Sequence, residues 1–148
     1  MGLSDRIIED LKQAMLAKNA PKTSALRMLK SAVMNAQILK KGDALSDADV
    51  QSVIQKQINQ RKESLEQYSK AGRQDLASAE KAEITLLESY LPAQIGEAEL
   101  ESAVRDLAAK NGLSAKKDFG RAMKLAQAAL EGRADNKRIS AVLNKVLA

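Results

Sequence analysis

Three charged side chains fall where the spacing of their neighbours calls for apolar ones. Val50, Ile54, Ile58, Arg61, Leu65 and Tyr68 step by threes and fours, the interval that keeps side chains on one face of a helix. Leu76, Glu80, Glu83, Leu87 and Tyr90 do the same in the next segment. One guanidinium and two carboxylates are thereby drawn toward a core. Two chemistries suit the set. An arginine beside paired carboxylates can split their proton affinities, so that one donates while the other accepts, as general acid–base work requires. Alternatively, Arg61, Glu80 and Glu83 satisfy one another and hold two helices in register. With no nucleophile or metal ligand beside them, the structural ion cluster is the expectation.

The other usual sources of chemistry are missing from the composition. Cysteine and histidine both number zero, which removes disulfides, thiol nucleophiles, thiolate metal sites and imidazole bases together. No Gly-rich run leads into Lys-Ser or Lys-Thr, so no phosphate loop is expected. The carboxylates are spread along helix faces instead of being grouped as oxygen ligands for a hard cation. No catalytic residue, no metal and no cofactor is therefore expected.

Charge is unevenly placed. The net charge is +5, yet from Lys110 onward nine Lys or Arg face three acids, a local +6, while residues 1–109 come to −1. Such a basic end suits a polyanion. Arg121, Lys124, Arg133, Lys137 and Arg138 are the candidate phosphate contacts, which need only accessible cations on one surface. They could equally be the solvent face opposite Met123, Ala126, Leu130, Ile139, Leu143 and Val146. Aromatic residues are limited to Phe119, Tyr68 and Tyr90, too few to stack unpaired bases. The other partner that suits a basic end is an acidic protein.

The elements that must carry these residues read as helices throughout. The chain has 148 residues, 45% hydrophobic and 29% charged, a folded-globule balance with room for one domain or two small ones. Two prolines and seven glycines are too few for a many-turned β protein. Ser4 looks like the cap of a first helix with Ile7, Ile8, Leu11, Ala14 and Met15 inward. A second is expected over Pro21–Leu39 with Leu26, Leu29, Val33 and Ala36 inward, and a third from the Ser46 cap to Ala71, with Gly72 in the left-handed cap position. A fourth runs from Asp75 to the Tyr90-Leu91-Pro92 break. An antiparallel hairpin turning at Gly72-Arg73 opposes positions whose numbers sum to about 145, which sets Arg61 against Glu83 and Ile84 with Glu80 one turn away. Beyond Leu91–Gly96 come helices over Glu97–Lys110, from a Ser114 cap to Leu130, and from an Asp135 cap to Leu147. The expected fold is all-α, with an N-terminal helical domain over 1–92 and a small basic three-helix domain over 96–148. Acids among the first ten residues argue against a secretory signal, and no apolar run is long enough to cross a bilayer. A cytoplasmic protein without a membrane partner is expected.

Several of these residues together resemble a known family. Arg61-Lys62-Glu63-Ser64, Tyr68, Ala71-Gly72-Arg73, Asp75-Leu76, Glu80, Glu83 and Tyr90-Leu91-Pro92 form a block similar to that of the GatB/YqeY family. Leu26-Arg27-Met28-Leu29 upstream, with Gly120, Met123 and Gly132-Arg133-Ala134-Asp135 downstream, extend the likeness over essentially the full length. Lys124 stands where the family usually has Gly, and no proline precedes the Gly-Arg-Ala-Asp motif. The resemblance implies a free-standing YqeY-like protein similar to the tail of the GatB subunit of glutamine-dependent aminoacyl-tRNA amidotransferase, a tail that contacts tRNA. The family label is carbon–nitrogen ligase with glutamine as amido donor. Because that enzyme's catalytic parts lie outside its tail, the resemblance implies binding of tRNA or another structured RNA in translation, and no catalysis by this chain. A module binding an acidic protein partner is the alternative.

Overall fold

The computed structural model describes residues 2–148, and every regular element among them is helical. In chain order the helices are α1 (Leu3–Leu16), α2 (Ala20–Leu39), α3 (Asp47–Lys70), α4 (Gln74–Glu88), α5 (Glu97–Lys110), α6 (Phe119–Leu130) and α7 (Asn136–Val146), with a 3₁₀ turn at Lys116–Asp118. The chain divides into two compact units, residues 1–91 and 92–148.

Local chemistry sets most of the boundaries. Ser46 Oγ accepts from Asp49 N–H at 3.1 Å while Asp49 Oδ2 accepts from Ser46 N–H at 3.1 Å, a reciprocal cap that satisfies two otherwise orphaned donors of α3. Asn19 Oδ1 caps α2 through Lys22 N–H, and Asp135 Oδ1 caps α7 through Arg138 N–H. Gly72 leaves α3 at φ +72°, a conformation that glycine adopts without a Cβ clash.

Two expected caps are wrong, and in each case a distant residue is the reason. Ser4 does not begin α1, because the helix already includes Leu3, whose N–H donates to Asp47 Oδ1 at 3.0 Å. A carboxylate from the start of α3 replaces a local cap. Ser114 does not begin a helix running to Leu130. The chain's last residue claims that segment's backbone: Lys116 N–H donates to Ala148 O, and Ala148 N–H to Ser114 O. Helix α6 therefore starts only at Phe119, after Asp118 Oδ2 has taken the N–H groups of Ser114 and Ala115.

In the N-terminal unit, Leu3, Ile7, Leu11 and Ala14 of α1 pack with Leu26, Leu29 and Val33 of α2, Val50, Ile54 and Ile58 of α3, and Ile84 and Leu87 of α4. The apolar face expected for α1 is narrower than its sequence suggests: Ile8 and Met15 are 48% and 50% exposed. Their neighbours Ile7 and Ala14 already fill the stripe that meets the core. On α4 the buried positions are Ala77, Ile84 and Leu87, so Glu80 and Glu83 lie at the margin of the stripe and not on its centre line. The C-terminal unit has its own core, built from Ile95, Leu100, Val104, Leu113, Ala122, Ala126, Leu130, Ile139, Leu143 and their neighbours. Separate cores lead to an expected outcome: residues 92–148 expressed alone should show a helical far-ultraviolet spectrum and unfold in one cooperative transition. A fragment without a cooperative transition would contradict the description of two units.

Candidate functional site

Arg61 is the most heavily engaged charged residue of the N-terminal unit. Its Nη1 lies 3.3 Å from Glu80 Oε1, and its Nε lies 2.9 Å from Glu83 Oε2. Nη2 points the other way and meets the thioether of Met28 on α2 at 3.0 Å. The side chains of Arg61, Glu80 and Glu83 are 17%, 13% and 26% exposed, so the charges are shielded without being sealed. The geometry at Glu83 is uneven. Its Oε2 is close enough to the guanidinium for charge pairing, yet it receives no aligned hydrogen bond and is itself buried. Burial pushes the Glu83 carboxyl above its ordinary 4.5, Arg61 draws it partly back, and Glu80 adds to the rise. Chemically the cluster is a clamp between α3 and α4 that reaches α2 through Met28. A carboxyl whose proton affinity is raised is a requirement for acid–base work, but it is also what partial burial alone produces.

A second charged contact, at the far end of α4, cannot be read from local spacing. The Tyr90 hydroxyl donates to Asp10 Oδ2 on α1, and the Arg6 guanidinium lies 5.4 Å from the Tyr90 ring centroid. Burial, then the Asp10 carboxylate, push the Tyr90 hydroxyl well above its usual range. Tyr90 stays a neutral donor and ties α1 to the end of the hairpin.

The five basic residues of the C-terminal unit divide into two groups. The Arg138 guanidinium donates to Glu97 Oε1 at 2.8 Å and to the Ile95 carbonyl at 2.6 Å. It holds the start of α5 against α7. Arg133 reaches Glu99 at 3.5 Å with both side chains largely exposed, a pair of the kind that water and salt screen readily. Arg121, Lys124 and Lys137 are exposed and have no ion-pair partner among the described residues. Arg121 and Lys124 are three apart on α6, and Lys137 sits in the first turn of α7.

Sequence patterns pass over one further surface. Met15, Leu16, Met28, Met34, Ile38 and Leu39 are 50–86% exposed at α1 and α2, apart from Met28 at 49%. An available signal was the local charge, for Leu11–Gly42 holds seven basic residues and no acid, a run hidden inside a near-neutral N-terminal total.

This is an all-helical protein with two small cores, a partly buried ion clamp and exposed cations. A profile of the Yqey-like protein family matches residues 4–147, and the chain belongs to that family. Among similar proteins is "Altered inheritance of mitochondria protein 41, mitochondrial" from Pyrenophora tritici-repentis, 32% identical over 96% of this chain and 79% of the relative. The protein of the same description from Vanderwaltozyma polyspora is 36% identical over 74% of this chain and 63% of its own length. That from Lachancea thermotolerans is 35% identical over 67% and 54%. The matched part thus spans from about half to four-fifths of these fungal proteins. No helix among the described residues is long and apolar enough to cross a membrane.

Two outcomes are expected for the clamp. Arg61→Ala leaves two shielded carboxylates facing each other. Its cost in chemical denaturation should fall between the ~1 kcal/mol of exposed pairs and the ~3–5 kcal/mol of buried ones, at about 2 kcal/mol. A cost below about 0.5 kcal/mol would show that the cluster does not hold the hairpin. The second outcome concerns pH. With its native pKa raised, Glu83 keeps its proton in the folded state longer than in the unfolded chain, so its contribution to stability falls as pH rises above 4.5. Glu83→Gln removes that fall. The melting temperature of the variant minus that of the wild type should grow from pH 4 to pH 7, and a difference that shrinks would reverse the assignment.

Proposed function

We propose that the protein is a non-catalytic binding protein whose C-terminal unit docks structured RNA, tRNA in the first instance, through its phosphate backbone. The observation that supports this most is the exposed set Arg121, Lys124 and Lys137, each free of a carboxylate partner among the described residues. A cation already paired in the native state offers little to a phosphate, whereas an unpaired one releases counterions when it meets one. Arg133 joins them by exchanging its long, exposed contact with Glu99 for a phosphate oxygen. Arg138 acts differently, holding Glu97 and the Ile95 carbonyl so that α7 presents Lys137 from a fixed place. The likeness to the tail of a tRNA-dependent amidotransferase agrees in kind. The carbon–nitrogen ligase label belongs to the larger enzyme, and amide transfer is no part of this reading.

With Phe119, the one aromatic residue of this unit, packed against its core, recognition is of shape and backbone, not of unpaired bases. A role in translation, in the cytoplasm, completes the reading; the mitochondrial description belongs to the fungal relatives. A protein-interaction role is the second reading. It is favoured by the exposed apolar side chains of α1 and α2, not by the basic C-terminal unit.

The test is a tRNA titration at several salt concentrations. Affinity should fall linearly in a log–log plot, and the triple variant Arg121→Ala, Lys124→Ala, Lys137→Ala should lower the slope by roughly two to three units. Arg138→Ala should lower the melting temperature while changing the slope by less than one truncated contact does. No saturable binding at low salt, or a triple variant that binds like wild type, would remove the RNA reading.

A further inference from the structure

The turn from α1 to α2 forms the floor of an open groove of ≈ 560 Å³, lined by Met15, Lys18, Thr23, Ser24, Arg27 and Met28. It is too open to enclose a small molecule, and its walls combine two thioethers with two cations. Lys18 holds φ +55°, a left-handed conformation costly for a residue with a Cβ, and so borders the groove from a fixed turn. Beyond the groove, α2 keeps an exposed face. Ser24, Met28, Ser31, Asn35 and Ile38 follow one another at steps of four and three and are all exposed, flanked by Met34 and Leu39. The segment that carries both is itself of one sign. Between Leu11 and Gly42 there are seven Lys or Arg and no acid, and of these only Lys40 has a carboxylate partner among the described residues, Asp49 at 2.8 Å.

We infer that this groove and the adjoining face of α2 form a docking site for an acidic amphipathic helix of a protein partner. Charge complementarity and shape choose this occupant. Flexible methionines in an open groove accept apolar anchors of varied shape, and anchors at helical spacing suit the exposed side chains that repeat along α2. The cations on its margins pair with Asp or Glu on the flanks of the incoming helix and speed its arrival. A phosphate backbone would use the cations but would leave Met15, Met28 and Ile38 covered by polar groups. A lipid surface would need a continuous apolar face, and here Ser24, Ser31 and Asn35 interrupt it. Met28 also touches Arg61 Nη2, so an anchor seated beside Met28 bears on the clamp between α3 and α4.

The inference concerns the N-terminal unit alone and does not rest on the RNA reading. Helical peptides of about 18 residues, with apolar anchors at i, i+3, i+4 and i+7, are displayed on phage against the intact protein in acidic, neutral and basic versions. The acidic set should be enriched over both others. An enriched peptide, titrated into methyl-labelled protein, should shift the Met15, Met28 and Met34 methyl signals saturably. Arg27→Glu and Met28→Glu, both at exposed positions, should each weaken it by about tenfold or more, and Lys56→Glu on α3 should not. Separate titrations use vesicles of phosphatidylcholine with phosphatidylglycerol, and tRNA. Equal enrichment of neutral helices, methyl shifts outside this face, or vesicles or tRNA moving these methyls when no acidic helix does would overturn the inference.

Discussion

A guanidinium withdrawn from water needs carboxylates around it, and the joining of α3 to α4 depends on that requirement. Arg61 reaches Glu80 and Glu83, one turn apart on α4, so sliding the hairpin by a turn would leave at least one charge shielded and unpaired. Apolar contacts alone discriminate register weakly in a core that contains so little besides Leu, Ile, Val and Ala. The clamp supplies directional contacts, and a buried polar group serves specificity in this way even where it adds little stability. Through Met28 the same guanidinium reaches α2, while the Tyr90–Asp10 hydrogen bond secures the other end of α4 to α1. Four helices are thus tied by two polar contacts placed at the margins of an apolar core.

Much of this was legible in the sequence because it depends on spacing. The stripe through Val50, Ile54, Ile58 and Arg61 determines which face of α3 turns inward, and antiparallel geometry then sets Arg61 against Glu83. Ser46 and Asp135 act through neighbours three residues away, and such local chemistry is visible along the chain. What could not be read depends on contacts between residues far apart. Asp47 caps α1 from forty-four residues away, and Ala148 takes the backbone of Ser114 and Lys116. Ile8 and Met15 have the hydropathy of core residues. Only the number of helices packed against α1 decides that they stay outside.

The same distinction governs the candidate sites. Five basic residues of the C-terminal unit look equivalent in sequence, yet Arg138 is a strut and Arg121, Lys124 and Lys137 are not, because carboxylates of α5 lie within reach of the first and not of the others. Charge summed over long segments concealed the other surface altogether. The acids of α1, α4 and α5 offset the cations of residues 11–42 in the total, although exposed Met15, Met28 and Ile38 sit in an acid-free stretch of their own. Fold and clamp follow from period and pairing; the proposed RNA contact depends on which cations remain unpaired.

The unpaired cations of α6 and α7 are proposed to meet RNA. Ultraviolet crosslinking in living cells, followed by sequencing of the bound RNA and mass spectrometry of the modified peptides, tests this directly. tRNA should be the dominant RNA recovered, with modified residues confined to peptides of 119–146. Recovery of no RNA above background, or of RNA attached only to peptides of the N-terminal unit, would contradict the proposal.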